Sequence, residues 1–253
     1  MQGMIQSGFG LPFDIKKQVE TSRDFSQALD VLMDTVGEFG FTQVLYAYLP
    51  IPPQLPNGDW LPLKLNVRNF PKGWEDGWNR FMKVDPYYRA CFQGTLPIDW
   101  TRVQANGNLA AVQREACSYL NDFGLSHGIT VPAHLPFGRF AVMSAIVDRQ
   151  DIDWNTMFES VREPLFRLMH TFTKSILDMK FENQIDTVRF SKLTSRELEC
   201  MKWAAAGKTS EETSIILGRS IETVRLHIKN AITKLEATNR SQAVAIAVRL
   251  GLI

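Results

Sequence analysis

The sequence predicts an α+β fold in two parts: an α-β-α layered body followed by an all-α head of four short helices. Three observations carry this prediction. Through the first part, apolar residues at three- and four-residue steps alternate with short β-branched and aromatic runs, so helices flank strands. Beyond Val188 only closely spaced helical signals remain, two of them opened by a threonine three residues before a glutamate. Charge divides at the same place, with 11 lysines and arginines against 6 acids from Val188 onward and 17 against 21 before it. The expected limits are a body over residues 1–181, a linker over 182–190 and a head over 191–253.

In chain order, Asp14 to Gly40 reads as one helix, because Ile15, Val19, Phe25, Leu29, Leu32, Val36 and Phe39 recur at helical spacing. Gln43 to Leu49 is β-branched and aromatic and reads as a strand, and Pro50 to Pro62 as a surface loop. Leu63 to Val67 alternates and predicts a neighbouring strand. Gly128 to Pro132 and Phe140 to Val147 predict two more, around a turn at Pro136 and Gly138. Aromatic-rich helical segments lie between the strand pairs, and a long helix is expected from about Trp154 to Phe181. In the head, Thr194 with Glu197 and Thr209 with Glu212 open the first two helices, and Gly207 and Gly218 close them. Ser220 caps a third helix that runs to Leu235, and Ser241 opens a fourth that ends near Gly251. Leu198, Trp203, Ile215, Leu217, Val224, Ile228 and Leu235 are expected to close the head's core.

Composition sets outer bounds. With 45% hydrophobic and 22% charged residues the chain is an ordinary globular one. It lacks an apolar run long enough to span a membrane, and Met1 to Phe13 does not read as a secretory leader, so a cytoplasmic protein is expected. Cys91, Cys117 and Cys200 are odd in number and widely separated, which suits free packing thiols in a reducing compartment. His127, His134, His170 and His227 have no metal-ligand spacing, and neither a glycine-rich phosphate loop nor a nucleophile elbow occurs. No enzyme, metal or cofactor is therefore expected.

The two helices flanking Leu217-Gly218-Arg219-Ser220 have the length and turn of a helix-turn-helix. On the second, Val224, Ile228, Ala231 and Leu235 share the inward face, which leaves Glu222, Arg225, Lys229 and Thr233 outward. Arginine and lysine there suit base edges and phosphates, while the hydroxyls of Thr209, Ser220 and Thr223 suit phosphate positioning. The wider run Leu193-Thr194-Ser195-Arg196-Glu197-Leu198-Glu199, Trp203 to Thr209, Ile216-Leu217, Thr223-Val224, His227, Asn230, Lys234-Leu235 and Asn239-Arg240 resembles the DNA-binding domain of the LuxR family. That resemblance implies dimerisation through the last helix and an inverted-repeat site in double-stranded DNA. It places Lys208, Thr209, Ser220, Glu222, Thr223, Arg225, Lys229, Asn230 and Lys234 at the DNA. Met201 stands where a leucine is usual, and Thr213-Ser214 where an apolar-alanine pair is usual.

In the body, Asn69-Phe70-Pro71, Trp74, Asp85-Pro86, Leu96-Pro97, Trp100, Gly124-Leu125, Gly128 and Pro132 follow in an order that resembles the autoinducer-binding domain of quorum-sensing LuxR proteins. A phospho-receiver body is not indicated. The resemblance implies a homodimeric, ligand-responsive regulator that holds an N-acyl homoserine lactone between sheet and helices. Asp85 would accept from the ligand amide, Trp74 would donate to the lactone carbonyl, and Ser144 would reach the acyl carbonyl. Trp100 would form an aromatic wall, with Phe70, Trp78, Tyr87, Leu45 and Ala47 completing the lining. Phe70 and Trp78 stand where tyrosines are usual, and Tyr87 is bulky for its place beside Asp85-Pro86. These departures predict a reshaped pocket for a short or aromatic acyl chain, with an orphan regulator that senses a non-lactone compound, for example a plant-derived one, or acts without ligand, as the alternative.

Overall fold

A computed structural model describes residues 14–50, 52–54, 60–148, 152–185 and 193–253. The N-terminal segment before Asp14, part of the proline-rich loop and the expected linker from residue 186 lie outside them.

The first helical stretch is two helices, α1 (Ile15–Glu20) and α2 (Phe25–Gly37), not one. The hydroxyls of Thr21 and Ser22 donate to the Gln18 carbonyl at 2.9 and 3.0 Å, and Asp24 caps the next helix by accepting from the Gln27 amide. Short polar side chains thus take over backbone groups and restart the helix, although the apolar period runs on. Strand β1 (Gln43–Leu49) follows, then β2 (Asn66–Arg68), α3 (Trp74–Trp78), α4 (Pro86–Ala90), β3 (Ile98–Asp99), α5 (Trp100–Gln104) and α6 (Ala111–Asp122). The hairpin of β4 (His127–His134) and β5 (Phe140–Val147) leads into α7 (Trp154–Asp178). The strand expected over Leu63 to Val67 is therefore shorter and shifted: only Asn66–Arg68 pairs with β1, and Leu63 and Leu65 face inward from a loop.

The five strands form one antiparallel sheet in the order β2-β1-β5-β4-β3. Side chains alternate between its faces. Val44, Tyr46, Ile129, Val131, Met143 and Ala145 pack against α1, α2 and α7, while Ala47, Leu49, Val142 and Ile146 face the layer of short helices α3 to α6. Both faces are covered, which is why β5 is buried along its whole length. The core of the body continues past α7, because Phe181 and Ile185 are buried in it and Gln184 accepts from the Phe25 amide at 2.8 Å.

The head comprises α8 (Ser195–Ala205), α9 (Ser210–Leu217), α10 (Ile221–Lys234) and α11 (Arg240–Arg249). Both capping boxes form: the Thr194 amide donates to Glu197 Oε2 at 2.7 Å, and the Thr209 amide to Glu212 Oε2 at 2.8 Å. Gly218 closes α9 at φ +60°, a left-handed geometry that favours glycine. The fourth helix opens two residues earlier than expected, because Asn239 rather than Ser241 caps it by accepting from the Gln242 amide. Ile215, expected in the core, is 77% exposed, and the inward positions of α9 are Thr213 and Ser214. Their hydroxyls are satisfied by the carbonyls of Thr209 and Glu211 at 2.7 Å, so polar groups fill the place of apolar ones without being stranded. Leu250, just past α11, packs both in the head's core and against the body's cluster around Phe140.

Glu197 is buried, and Lys234 of α10 donates to its Oε2 at 2.8 Å. Burial opposes ionisation of Glu197; the hydrogen bonds from Lys234 and Thr194 outweigh it and leave its pKa lowered. Lys234→Met should therefore destabilise the head by about 1–3 kcal/mol, since one charge loses its partner. The double variant with Glu197→Gln should recover part of that loss. Denaturant unfolding followed by circular dichroism measures both, and a Lys234→Met variant as stable as the parent would show the pair to be inert.

Candidate functional site

Short helices place the polar groups of the body. Asp85 is the N-cap of α4, and Pro86 presets the first helical position. Its Oδ1 accepts from the amides of Tyr87 at 2.8 Å and Tyr88 at 3.2 Å, and no hydrogen bond reaches Oδ2 from the described residues. Trp74 and Trp78 lie one turn apart on α3, both buried, with Phe70 tilted against Trp74 at 4.8 Å. The Trp74 carbonyl accepts from the Tyr119 hydroxyl at 2.7 Å, while its indole N–H has no acceptor among the described residues.

Trp100 begins α5 and lies on Gly128 of β4, where a Cβ would come within 2.6 Å of the indole, so only glycine admits that approach. The indole donates to Thr130 Oγ1 at 2.7 Å, and Thr130 and Ser144, register partners on β4 and β5, are joined through their hydroxyls at 2.8 Å. An indole only donates, so Thr130 accepts there. One of the two hydroxyl hydrogens fills the Thr130–Ser144 bond, and the other has no acceptor among the described residues. Tyr87 stacks on Trp100 with ring centroids 4.2 Å apart and planes at 15°.

Asp85, Trp74, Trp78, Phe70, Tyr87, Trp100, Ser144 and Leu45 line a single cavity of about 40 Å³. Of the expected lining, only Ala47 is placed elsewhere: it sits two residues along β1 from Leu45, in the neighbouring cluster with Leu49, Phe140 and Val142. Thr130 and Tyr88, which the sequence reading missed, also line the cavity. Thr130 carried a signal, as a lone hydroxyl between Ile129 and Val131 in an apolar strand. The volume is far below the roughly 300–1,000 Å³ of sites for drug-sized ligands, because six aromatic side chains crowd it.

On the head, Glu222, Arg225, Lys229, Asn230 and Thr233 are exposed along one side of α10. Leu226, also missed, is 55% exposed in their midst. Thr209 and Ser220 serve first as caps, accepting from the amides of Glu212 and Thr223. Lys208 pairs with Glu212 at 3.1 Å. Lys234 departs from the expected DNA face: it turns to α8 and Glu197, because a buried carboxylate holds a lysine more strongly than solvent does. Among the described residues no cluster of histidines, cysteines and acids could hold a metal, and no helix is long and apolar enough to cross a membrane. Cys91, Cys117 and Cys200 are free and buried.

Two family models match this chain: the autoinducer binding domain over residues 24–174 and the bacterial regulatory proteins of the luxR family over residues 191–247. The chain belongs to the LuxR family. It is a LuxR-type transcriptional regulator with an autoinducer-binding body and a helix-turn-helix DNA-binding head. Relatives of this LuxR-type chain include the transcriptional activator BjaR1 of Bradyrhizobium diazoefficiens, 28% identical over 91% of each chain. The activator VanR of Vibrio anguillarum is 31% identical over 73% of this chain and 75% of its own. RpaR of Rhodopseudomonas palustris, a quorum sensing-dependent regulator, is 29% identical over 86% and 85%. The crystal structure of Escherichia coli SdiA shares the fold with a TM-score of 0.70 at 20% identity, covering 94% of this chain and 95% of that one.

Burial pushes the Asp85 carboxyl up to about 6, against the lowering effect of the Tyr88 and Tyr87 amides. Below its ordinary value of 3.8 the group is neutral folded or unfolded and contributes nothing. As pH rises through about 6 the folded state must ionise it in burial, and stability falls by an amount on the order of 3 kcal/mol. Urea midpoints of the parent and Asp85→Asn measured from pH 4 to 7 should diverge in that sense, the parent losing ground as pH rises. Parallel curves would mean that the carboxyl is solvated.

Proposed function

We propose that this LuxR-type regulator holds an uncharged acyl amide, an N-acyl homoserine lactone with a short or compact acyl group, in the body cavity. The head then binds an inverted repeat in double-stranded DNA as one half of a cytoplasmic homodimer. The observation that carries the ligand reading is that Asp85, Trp74, Thr130 and Ser144, which keep an acceptor, an indole N–H and one hydroxyl hydrogen without a partner among the described residues, all line one cavity. One acceptor and two donors complement an amide N–H and two carbonyls, the polar inventory of an acyl lactone. A neutral ligand fits better than a cation or anion, because the walls are otherwise apolar. The short acyl group follows from the small volume.

On the head, Arg225 and Lys229 reach base edges and phosphates, Leu226 meets a thymine methyl, and the hydroxyls of Thr209, Ser220 and Thr223 face the backbone. Dimerisation is supported by Val248 and Leu252, which leave 51% and 37% of their surface exposed at the last helix. A second reading is a non-lactone amphiphile. SdiA has been solved in complex with octanoyl-rac-glycerol, and Phe70 offers no hydroxyl to a ligand.

Melting of the full chain tests the ligand reading. N-butanoyl homoserine lactone at about 100 times its dissociation constant should stabilise the chain by about 2.7 kcal/mol. The dodecanoyl lactone should do less. Stabilisation by octanoylglycerol and by no lactone would move the assignment to the second reading, and no response to either would remove the ligand reading. Arg225→Ala should weaken binding to an inverted-repeat duplex by about 1–3 kcal/mol, read by fluorescence anisotropy, and an unchanged affinity would exclude a base contact.

A further inference from the structure

Tyr87 is the second residue after Asp85, and its own amide is one of the two that hold Asp85 Oδ1. Its ring lies flat on Trp100, with centroids 4.2 Å apart, and both side chains line the cavity together with Asp85. The far end of the ring is fixed as well: Gln104 donates to the phenol oxygen at 3.0 Å, and that hydroxyl sits 3.6 Å from the Cys117 sulfur. Gln104 is itself held by the Ser126 carbonyl at 3.3 Å. The ring is therefore anchored on its face, at its tip and at its backbone, only 3% of the residue being exposed.

Resting on the proposed ligand reading, we infer that Tyr87 is the specificity-determining residue for the ligand's head: its ring occupies the space beside Asp85 that a head-group ring requires. The amide N–H and acyl carbonyl of a ligand need only the unspent groups of Asp85 and the Thr130–Ser144 pair, neither of which lies behind the Tyr87 ring in this reading. A cyclic substituent on the amide nitrogen must come between Asp85 and Trp100, where Tyr87 lies. A ring enters only by lifting Tyr87 from Trp100 and breaking its bond from Gln104. The lactone ring of the proposed ligand is therefore admitted only with that displacement, which an acyl amide with a small or flat head does not need.

The test compares two probes that share the acyl amide and differ in the ring, N-butanoyl homoserine lactone and N-methylbutanamide. Dissociation constants are measured by calorimetry on the full chain for the parent, Tyr87→Thr and Tyr87→Leu, the last keeping most of the buried apolar volume in case the smaller residue does not fold. Both variants should bind the lactone about tenfold more tightly than the parent, with the amide within about twofold. Equal changes for both probes, or a weaker lactone in the variants, would overturn the role of Tyr87 while leaving the ligand reading intact. Absence of binding by both probes to parent and folded variants would overturn the ligand reading and this inference with it.

Discussion

The Asp99 side chain, only 1% exposed, holds the layers of the body together. Its Oδ1 accepts from the Trp154 indole at 2.9 Å, the Thr101 amide at 2.9 Å and the Thr101 hydroxyl at 2.7 Å, and Arg102 lies 3.4 Å from Oδ2. One carboxylate thereby caps α5 and pins the start of α7, which packs on the other face of the sheet. A buried charge is tolerated only when donors surround it, so the requirement to satisfy Asp99 fixes where α5 begins. Trp100 is the next residue, and its indole runs from there over Gly128 to Thr130. The cavity wall thus depends on a carboxylate that never faces the cavity.

Asp85 caps α4 in the same way, with a different balance. It receives two backbone amides on one oxygen and no cation, and its carboxyl is raised where Glu197, paired with Lys234, is lowered. A group whose ionisation is opposed by burial gains most from an added donor. Asp99 gathers three donors on Oδ1 and leaves Oδ2 to the Arg102 ion pair at 3.4 Å, whereas Asp85 has no cation beside it, so two aspartates with the same local role differ in how their charge is compensated.

Local encoding explains what the sequence made legible. The boxes of Thr194 with Glu197 and Thr209 with Glu212 each close within four residues, and the limits of β5 coincide with the expected Phe140 to Val147 because alternation and flanking turns are contained in it. The break between α1 and α2 was hidden because the apolar period continues across Thr21 to Asp24 while the capping hydroxyls and carboxylate interrupt it. Ile215 and Lys234 were misplaced for a different reason: which side of an element meets a neighbour depends on residues far along the chain, while Ala47 lies on the right face of β1 but one strand repeat beyond the cavity. Lys234 is drawn to a glutamate 37 positions away. The order of Trp74, Asp85, Trp100 and Ser144 pointed to a shared pocket, but its small volume depends on how six aromatic side chains pack, which no spacing records.

That packing also ties the cavity to the head. Leu63, Tyr88 and Val142 line the cavity and belong to the apolar cluster around Phe140 as well, against which Leu250 packs. Leu250 in turn lies in the head's core with Leu235, Ala243 and Ala247. Interiors are close-packed, so a ligand larger than about 40 Å³ makes its room by displacing walls rather than by filling voids. Tyr87 is anchored at three points, whereas Leu63 stands on a loop with no strand pairing. The wall shared with the Leu250 cluster is consequently less constrained than the one Tyr87 forms, and it is the wall that the cavity and the end of the head have in common.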